Sequence, residues 1–162
     1  MVDADLAARI GRLEDIEAIR RLKARYCYAC DDGYDTDTLV DLFVEDAVWD
    51  GGDLGVAVGR EKIRRFFDNT PAVMPFAVHM VMDPLIDVDG DRATGAWYLF
   101  QAATYAPDGT ALWGSARYDE EYVRTAQGWK FQSLRLTSHF WTPFDAGWLE
   151  KRSIFEQPQE AE

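Results

Sequence analysis

The sequence predicts an α+β fold in which N-terminal helices pack on one face of a curved, mostly antiparallel sheet. Three observations carry this reading. Apolar residues early in the chain recur at three- and four-residue steps, the period of a helix with one buried stripe. After Pro75 the pattern changes to long strand-like runs separated by tight-turn signals. Helical patterns therefore come first and strand patterns second, the order of an α+β domain rather than of alternating β-α-β units.

The first helix carries Leu6, Ile10, Leu13, Ile16, Ile19, Leu22 and Tyr26 on its apolar stripe. Gly11 is expected to break it into a short leader and a main helix from about Glu14, and Gly33 is a natural C-terminal stop. Asp35-Thr36-Asp37 offers N-cap residues for a second helix with Leu39, Leu42 and Phe43. Ala47-Val48-Trp49 reads as a strand closed by Asp50-Gly51-Gly52-Asp53, and Val56 and Val58 begin another. Gly59 leads into a third helix bearing Ile63, Phe66 and Phe67, with Pro71 expected just beyond its end. Strands follow from Val78 to Val88, Ala93 to Tyr105, Ala111 to Val123 and Trp129 to Trp141. They are joined at Asp89-Gly90-Asp91, Pro107-Asp108-Gly109 and Gln127-Gly128, which makes a meander. From Thr142 the pattern fades. Residues 1–144 read as a single domain and 145–162 as a C-terminal extension with an acidic, solvated tail.

At 162 residues, 48% of them hydrophobic, the chain has the mass and apolar content to bury a core unaided. Six Trp, seven Tyr and nine Phe exceed the needs of a minimal core and fit either a large aromatic core or an apolar pocket. The net charge of −12 argues against nucleic acid and against an anionic membrane surface as partners. No apolar run approaches the ~20 residues of a membrane span. Met1-Val2-Asp3-Ala4-Asp5 lacks the basic start and apolar stretch of a signal peptide, so the expected location is the cytoplasm. Cys27 and Cys30 have C-x-x-C spacing. A zinc site would need a second ligand pair, and a thioredoxin-like motif would open a helix rather than sit late in one, so they read as buried thiols.

The stretch Tyr26-Cys27-Tyr28-Ala29-Cys30-Asp31-Asp32-Gly33 gathers phenols, thiols and carboxylates at the end of the first helix. Carboxylates there oppose the helix dipole, which favours a functional use for at least one of them. His79, one of two histidines, is the candidate partner. Histidine is the natural general base near neutral pH, and a carboxylate on its other ring nitrogen fixes the tautomer and stabilises the imidazolium. The residue pattern alone also fits a hydrogen-bonded structural histidine, and spacing does not choose between Asp31 and Asp32. Tyr26 lies about 140° around an ideal helix from Asp31, so Tyr28, three residues away, meets that face more easily. Trp97, Leu99 and Gln101 share one strand face. Arg117 and Arg135 read either as binders of a substrate carboxylate or as salt-bridge partners, and His139 as structural or at a pocket rim.

The helix-helix-strand-helix-meander order, with Asp15-Ile16-Glu17-Ala18-Ile19 leading to Tyr26 and Asp31, resembles the SnoaL-like branch of the nuclear-transport-factor-2-like superfamily, whose fold is a cystatin-like cone. The likeness runs roughly from Leu13 to Phe144 and is nearest to the bile-acid 7α-dehydratases; scytalone dehydratases and hexachlorocyclohexane dehydrochlorinases are also similar. By that resemblance a functional Tyr and Asp fall on Tyr26 and Asp31, and the family His, five residues before Pro84, falls on His79. The dyad of the dehydrochlorinases falls on the same Asp31 and His79. Gln101 stands where the bile-acid enzymes have a functional Asp, and Ser138, with Arg135 nearby, where they have a functional Arg. The resemblance implies a dehydratase-like lyase that uses no cofactor or metal, with Asp31, His79 and Tyr26 as catalytic groups. It implies substrate contacts at Gln101, Ser138 and Arg135, to which the residue reading adds Tyr28, Trp97 and His139, with a hydrophobic cyclic substrate, steroid-like molecules as one option, and a dimer or trimer. A non-catalytic binder of an apolar ligand and a ketosteroid-isomerase-like isomerase are the alternatives.

Overall fold

The computed structural model describes residues 2–155. In chain order it has α1 (Val2–Asp31), α2 (Thr36–Asp41), β1 (Phe43–Asp50), a 3-10 turn (Gly52–Leu54), β2 (Val56–Val58) and α3 (Arg60–Val73). The meander follows as β3 (Phe76–Asp89), β4 (Arg92–Tyr105), β5 (Thr110–Thr125) and β6 (Gly128–Pro143), with a short α4 (Gly147–Glu150) after it. The strands form one six-stranded sheet in the order β2-β1-β6-β5-β4-β3. Every pairing is antiparallel except β1 beside β6. This is the α+β cone expected, with α1 to α3 on the inner face and the core between.

Alternation decides what the inner face carries. Along β5, Leu112, Tyr118, Glu120 and Tyr122 point inward and are buried, while Arg117 and Glu121 point outward. Helix residues Ile19, Leu22, Tyr26, Leu39, Ile63 and Phe67 close over them. Burying these side chains supplies the main driving force for folding.

Several boundaries differ from expectation. α1 is unbroken through Gly11 and runs for 30 residues. A lone glycine costs a helix only ~0.5–1 kcal/mol, too little to end a long one. Its first turns extend past the core: Leu6, Ile10 and Leu13 are exposed, and burial begins near Ile16. Asp15 marks that point. Its carboxylate accepts both Arg124 guanidinium nitrogens at 2.7 Å and the Trp129 indole at 3.0 Å. The Arg124 hydrogen bonds hold this carboxyl below the usual carboxylate range.

α2 ends at Asp41, with Asp35 as N-cap accepting from the Thr38 N–H. Phe43, expected on that helix, instead opens β1, where its neighbour is Phe131 of β6. α3 continues past Pro71 to Val73; the Met74 N–H closes the last turn on the Thr70 carbonyl at 2.7 Å. A proline so near the C-terminus removes one helical bond without ending the helix.

After Phe144 the chain turns back. Ser153 bridges to Trp141, and Ile154 and Phe155 pack against the core cluster. Residues 145–155 therefore fold onto the sheet rather than trailing away. The acidic tail from Glu156 to Glu162 lies outside the described residues.

Candidate active site

Between the inner sheet face and α1 and α3 lies a cavity of about 320 Å³. Its walls are mostly aromatic: Trp49, Phe66, Phe67, Tyr118, Trp141 and Phe155. Trp141 needs Gly114 opposite it, since any Cβ there would overlap its ring. Among the described residues, no Lys, Arg, Asp or Glu lines the cavity, and no three ligand-type side chains gather as a metal site.

His79 lines one wall, and its position follows from topology. β3 is the edge strand, so the outward-directed N–H at His79 has no ladder partner. Asp31 fills that gap. Its carboxylate accepts the His79 main-chain N–H at 3.0 and 3.2 Å and lies 2.6 Å from the ring Nδ1. A carboxylate there fixes the proton on Nδ1 and leaves Nε2, which bonds to no described residue, as an acceptor. The His79 side chain is 8% exposed and that of Asp31 24%.

Gly33 makes this possible at the end of α1. Its left-handed φ of 66° turns the chain out of the helix. The Tyr34 and Asp35 N–H groups then return to the Cys30 and Ala29 carbonyls at 3.2 and 2.9 Å. Asp31, the last helical residue, is left facing β3. Tyr26 faces the cavity one and a half turns earlier. No helix bend is needed to unite them, because Asp31 reaches the site through its bond to His79 while Tyr26 lines the cavity directly.

The Tyr26 hydroxyl accepts the Trp49 indole N–H at 3.0 Å, which leaves its own proton to donate. Burial, with Cys30 and Tyr118 adding to it, pushes this phenol well above its ordinary range, so it stays neutral. Burial likewise raises the Cys27 thiol to about 11 and the Cys30 thiol well above its usual value. Both cysteines are free and buried.

A SnoaL-like domain model matches residues 11–135. The chain belongs to the SnoaL-like domain family. An uncharacterized protein of Mycobacterium tuberculosis is 30% identical over 123 residues, 75% of this chain and 83% of the relative. A solved structure of a proposed aromatic ring hydroxylase from Novosphingobium aromaticivorans is 32% identical, with a TM-score of 0.75 over 81% of this chain and 94% of that one. A hexachlorocyclohexane dehydrochlorinase from Novosphingobium barchaimii shares the fold at 21% identity, with a TM-score of 0.77 over 84% and 94% of the two chains.

Of the residues expected at the site, this SnoaL-like protein brings together Asp31, His79, Tyr26 and Gln101. It sends the others elsewhere. Tyr28 is 75% exposed on the outer side of α1, so the reading that it meets the Asp31 face is corrected. Trp97 points inward but toward the core, donating to the Tyr122 hydroxyl at 3.0 Å rather than lining the cavity. Arg135 is on the outer sheet face, bound to Asp50 at 3.0 Å, and Arg117 there binds Asp119 at 2.8 Å. Both are salt-bridge partners. Ser138 accepts the Trp141 indole at 3.0 Å, and His139 is exposed beside Ser115 and Tyr98. An irregularity in the β5–β6 ladder at Ser115/Ala116 shifts this stretch relative to a simple alternation.

Tyr34, Tyr118, Met74 and Phe155 also line the cavity and were not expected there. Tyr118 was readable by alternation with the inward residues of its strand. Tyr34 and Phe155 lie in irregular chain, where no period applies.

Proposed function

We propose that this protein is a lyase of the dehydratase type that needs no cofactor, acting on a hydrophobic cyclic small molecule. The observation that carries the reading is the Asp31 carboxylate 2.6 Å from His79 Nδ1, in a cavity walled by aromatic side chains. His79 Nε2 takes a proton from a ring carbon, Asp31 stabilises the imidazolium, and the electron pair forms a double bond as water or a similar group leaves. Tyr26, held neutral by burial, donates a hydrogen bond to the oxygen that gains charge or departs. The fold neighbour named as a dehydrochlorinase supports elimination as the reaction type. An isomerase would use the same base and differ only in where the proton returns. A pure binder would use the cavity alone and need Asp31 only for the His79 main-chain N–H, not for the ring.

The test is a panel of cyclic hydroxy ketones and chlorinated cyclohexanes, followed by absorbance of the conjugated product. His79→Ala is expected to lower turnover by ~10²–10⁴-fold while the thermal midpoint stays near that of the wild type, because Asp31 keeps the main-chain N–H. Full turnover in that variant would overturn the mechanism.

Two further parts belong to this reading. The protein works in the cytoplasm, which suits two free thiols in one chain; no helix among the described residues is long and apolar enough to cross a membrane. It also assembles with copies of itself through the outer sheet face.

A further inference from the structure

The mechanism above makes no use of Tyr34. Its backbone is left-handed, with φ 62° directly after Gly33, a conformation that glycine takes with less strain than a tyrosine does. That backbone turns the ring inward, where it stacks on Phe67 with centroids 6.2 Å apart and remains 7% exposed. A buried tyrosine hydroxyl ordinarily finds a partner. This residue lines the cavity, and its hydroxyl bonds to no described residue and is not sealed from the open space.

Gln101 is in the same position. It is 2% exposed and lines the cavity. Its amide N–H donates only to the Met74 sulfur at 3.5 Å, a weak acceptor, and its carbonyl accepts from no described residue. Gln101 stands directly opposite His79 in the β3–β4 ladder, on the same inward face, which sets the two Cβ atoms about 5 Å apart. A hydroxyl and an amide lining the same cavity therefore await a polar group, the amide beside the candidate base. Since no charged side chain lines the cavity among the described residues, that group carries no charge.

We propose that Tyr34 and Gln101 bind a neutral oxygen of the ligand, so that uncharged cyclic ketones bind and the substrates are those with a hydroxyl to lose: the carbonyl adjoins the carbon that gives its proton to His79, and the departing hydroxyl stands on the next carbon. This deepens the lyase reading and rests on it for the role of His79 alone.

Binding tests it without turnover. Trp49 and Trp141 line the cavity, so ligand entry quenches their fluorescence. The probes are 2-tetralone, tetralin, which lacks the oxygen, and 2-naphthoate, which carries a charge. The wild type is expected to bind 2-tetralone about tenfold tighter than tetralin and 2-naphthoate more weakly than either. Tyr34→Phe keeps the ring on Phe67 and should lower the ketone preference to about twofold with tetralin affinity unchanged. Gln101→Leu should erode the same preference, and thermal midpoints confirm that both variants fold. An unchanged ketone preference in Tyr34→Phe, or tightest binding of 2-naphthoate, would overturn the proposal. A ketone preference that needs Tyr34 in a protein that turns nothing over would keep this proposal and sink the lyase. Turnover lost in His79→Ala alongside an unchanged preference in Tyr34→Phe would do the reverse.

Discussion

Lys23 and Glu120 meet with Nζ and Oε1 2.5 Å apart, and neither side chain reaches solvent. Glu120 also accepts the Tyr122 hydroxyl, and the ammonium lies 3.2 Å from the centroid of the Tyr118 ring, a wall of the cavity. Two buried charges are costly to desolvate and persist because each is the counter-charge of the other. Lys23→Met is therefore expected to cost ~3–5 kcal/mol by leaving Glu120 unpaired. Adding Glu120→Gln should recover most of that loss, since the amide oxygen still accepts from Tyr122. Urea unfolding of the single and double variants measures both, and a Lys23→Met protein as stable as the wild type would refute the pairing argument. Nothing in residue type announced this pair: Lys23 sits among Arg20, Arg21 and Arg25, and Glu120 between Asp119 and Glu121, so both read as solvated. The meeting of Asp31 with His79 was legible, because the family register aligned two residues far apart in sequence. Tyr34 was not, since a left-handed tyrosine leaves no mark in a sequence.

At the scale of elements, the meander was legible nearly to its ends, because its four long strands are joined by glycine-containing turns. Helix limits were harder. Phe43 continues the apolar spacing of α2 yet belongs to β1, and only its packing partner Phe131 decides between them. The helix that departs furthest from expectation is α1, whose exposed first turns contain Gly11. A methyl group there would meet nothing within 4 Å, and the backbone is not left-handed. Gly11→Ala should thus stabilise the protein by up to ~0.5–1 kcal/mol. Denaturant midpoints and helical circular dichroism of the two proteins measure it. A helix that broke at Gly11 would show no gain in either. Among the described residues, the amino-terminal turns are tied down further along by Arg12 to Asp87 at 3.6 Å and by the Asp15 cluster, so their stability depends on backbone propensity more than on packing.

For the molecule as a whole, the outer sheet face divides into two ends. Val78, Met80, Met82 and Tyr98 stand exposed on β3 and β4, with Phe100 against Trp113 beside them at 5.2 Å. Toward the other end lie Asp87, Asp119 and Glu121, with Arg117 and Arg135 already bound to acids. Alternation made this face readable as the one turned away from the helices, but it did not mark where apolar gives way to charged. A contiguous apolar end of this kind is a poor surface to leave in water, and a second copy supplies a matching one by symmetry. The net charge of −12 opposes that contact. Association should therefore tighten as salt screens the repulsion, the opposite of what a salt-bridged interface would do. Sedimentation velocity at low and high ionic strength is expected to give a dimer or trimer whose dissociation constant falls with added salt. Met80→Asp, which puts a further negative charge on the apolar end, should yield monomers that still bind 2-tetralone, since Met80 does not line the cavity. A wild-type monomer at every salt concentration would refute assembly through this face and leave the cavity chemistry untouched.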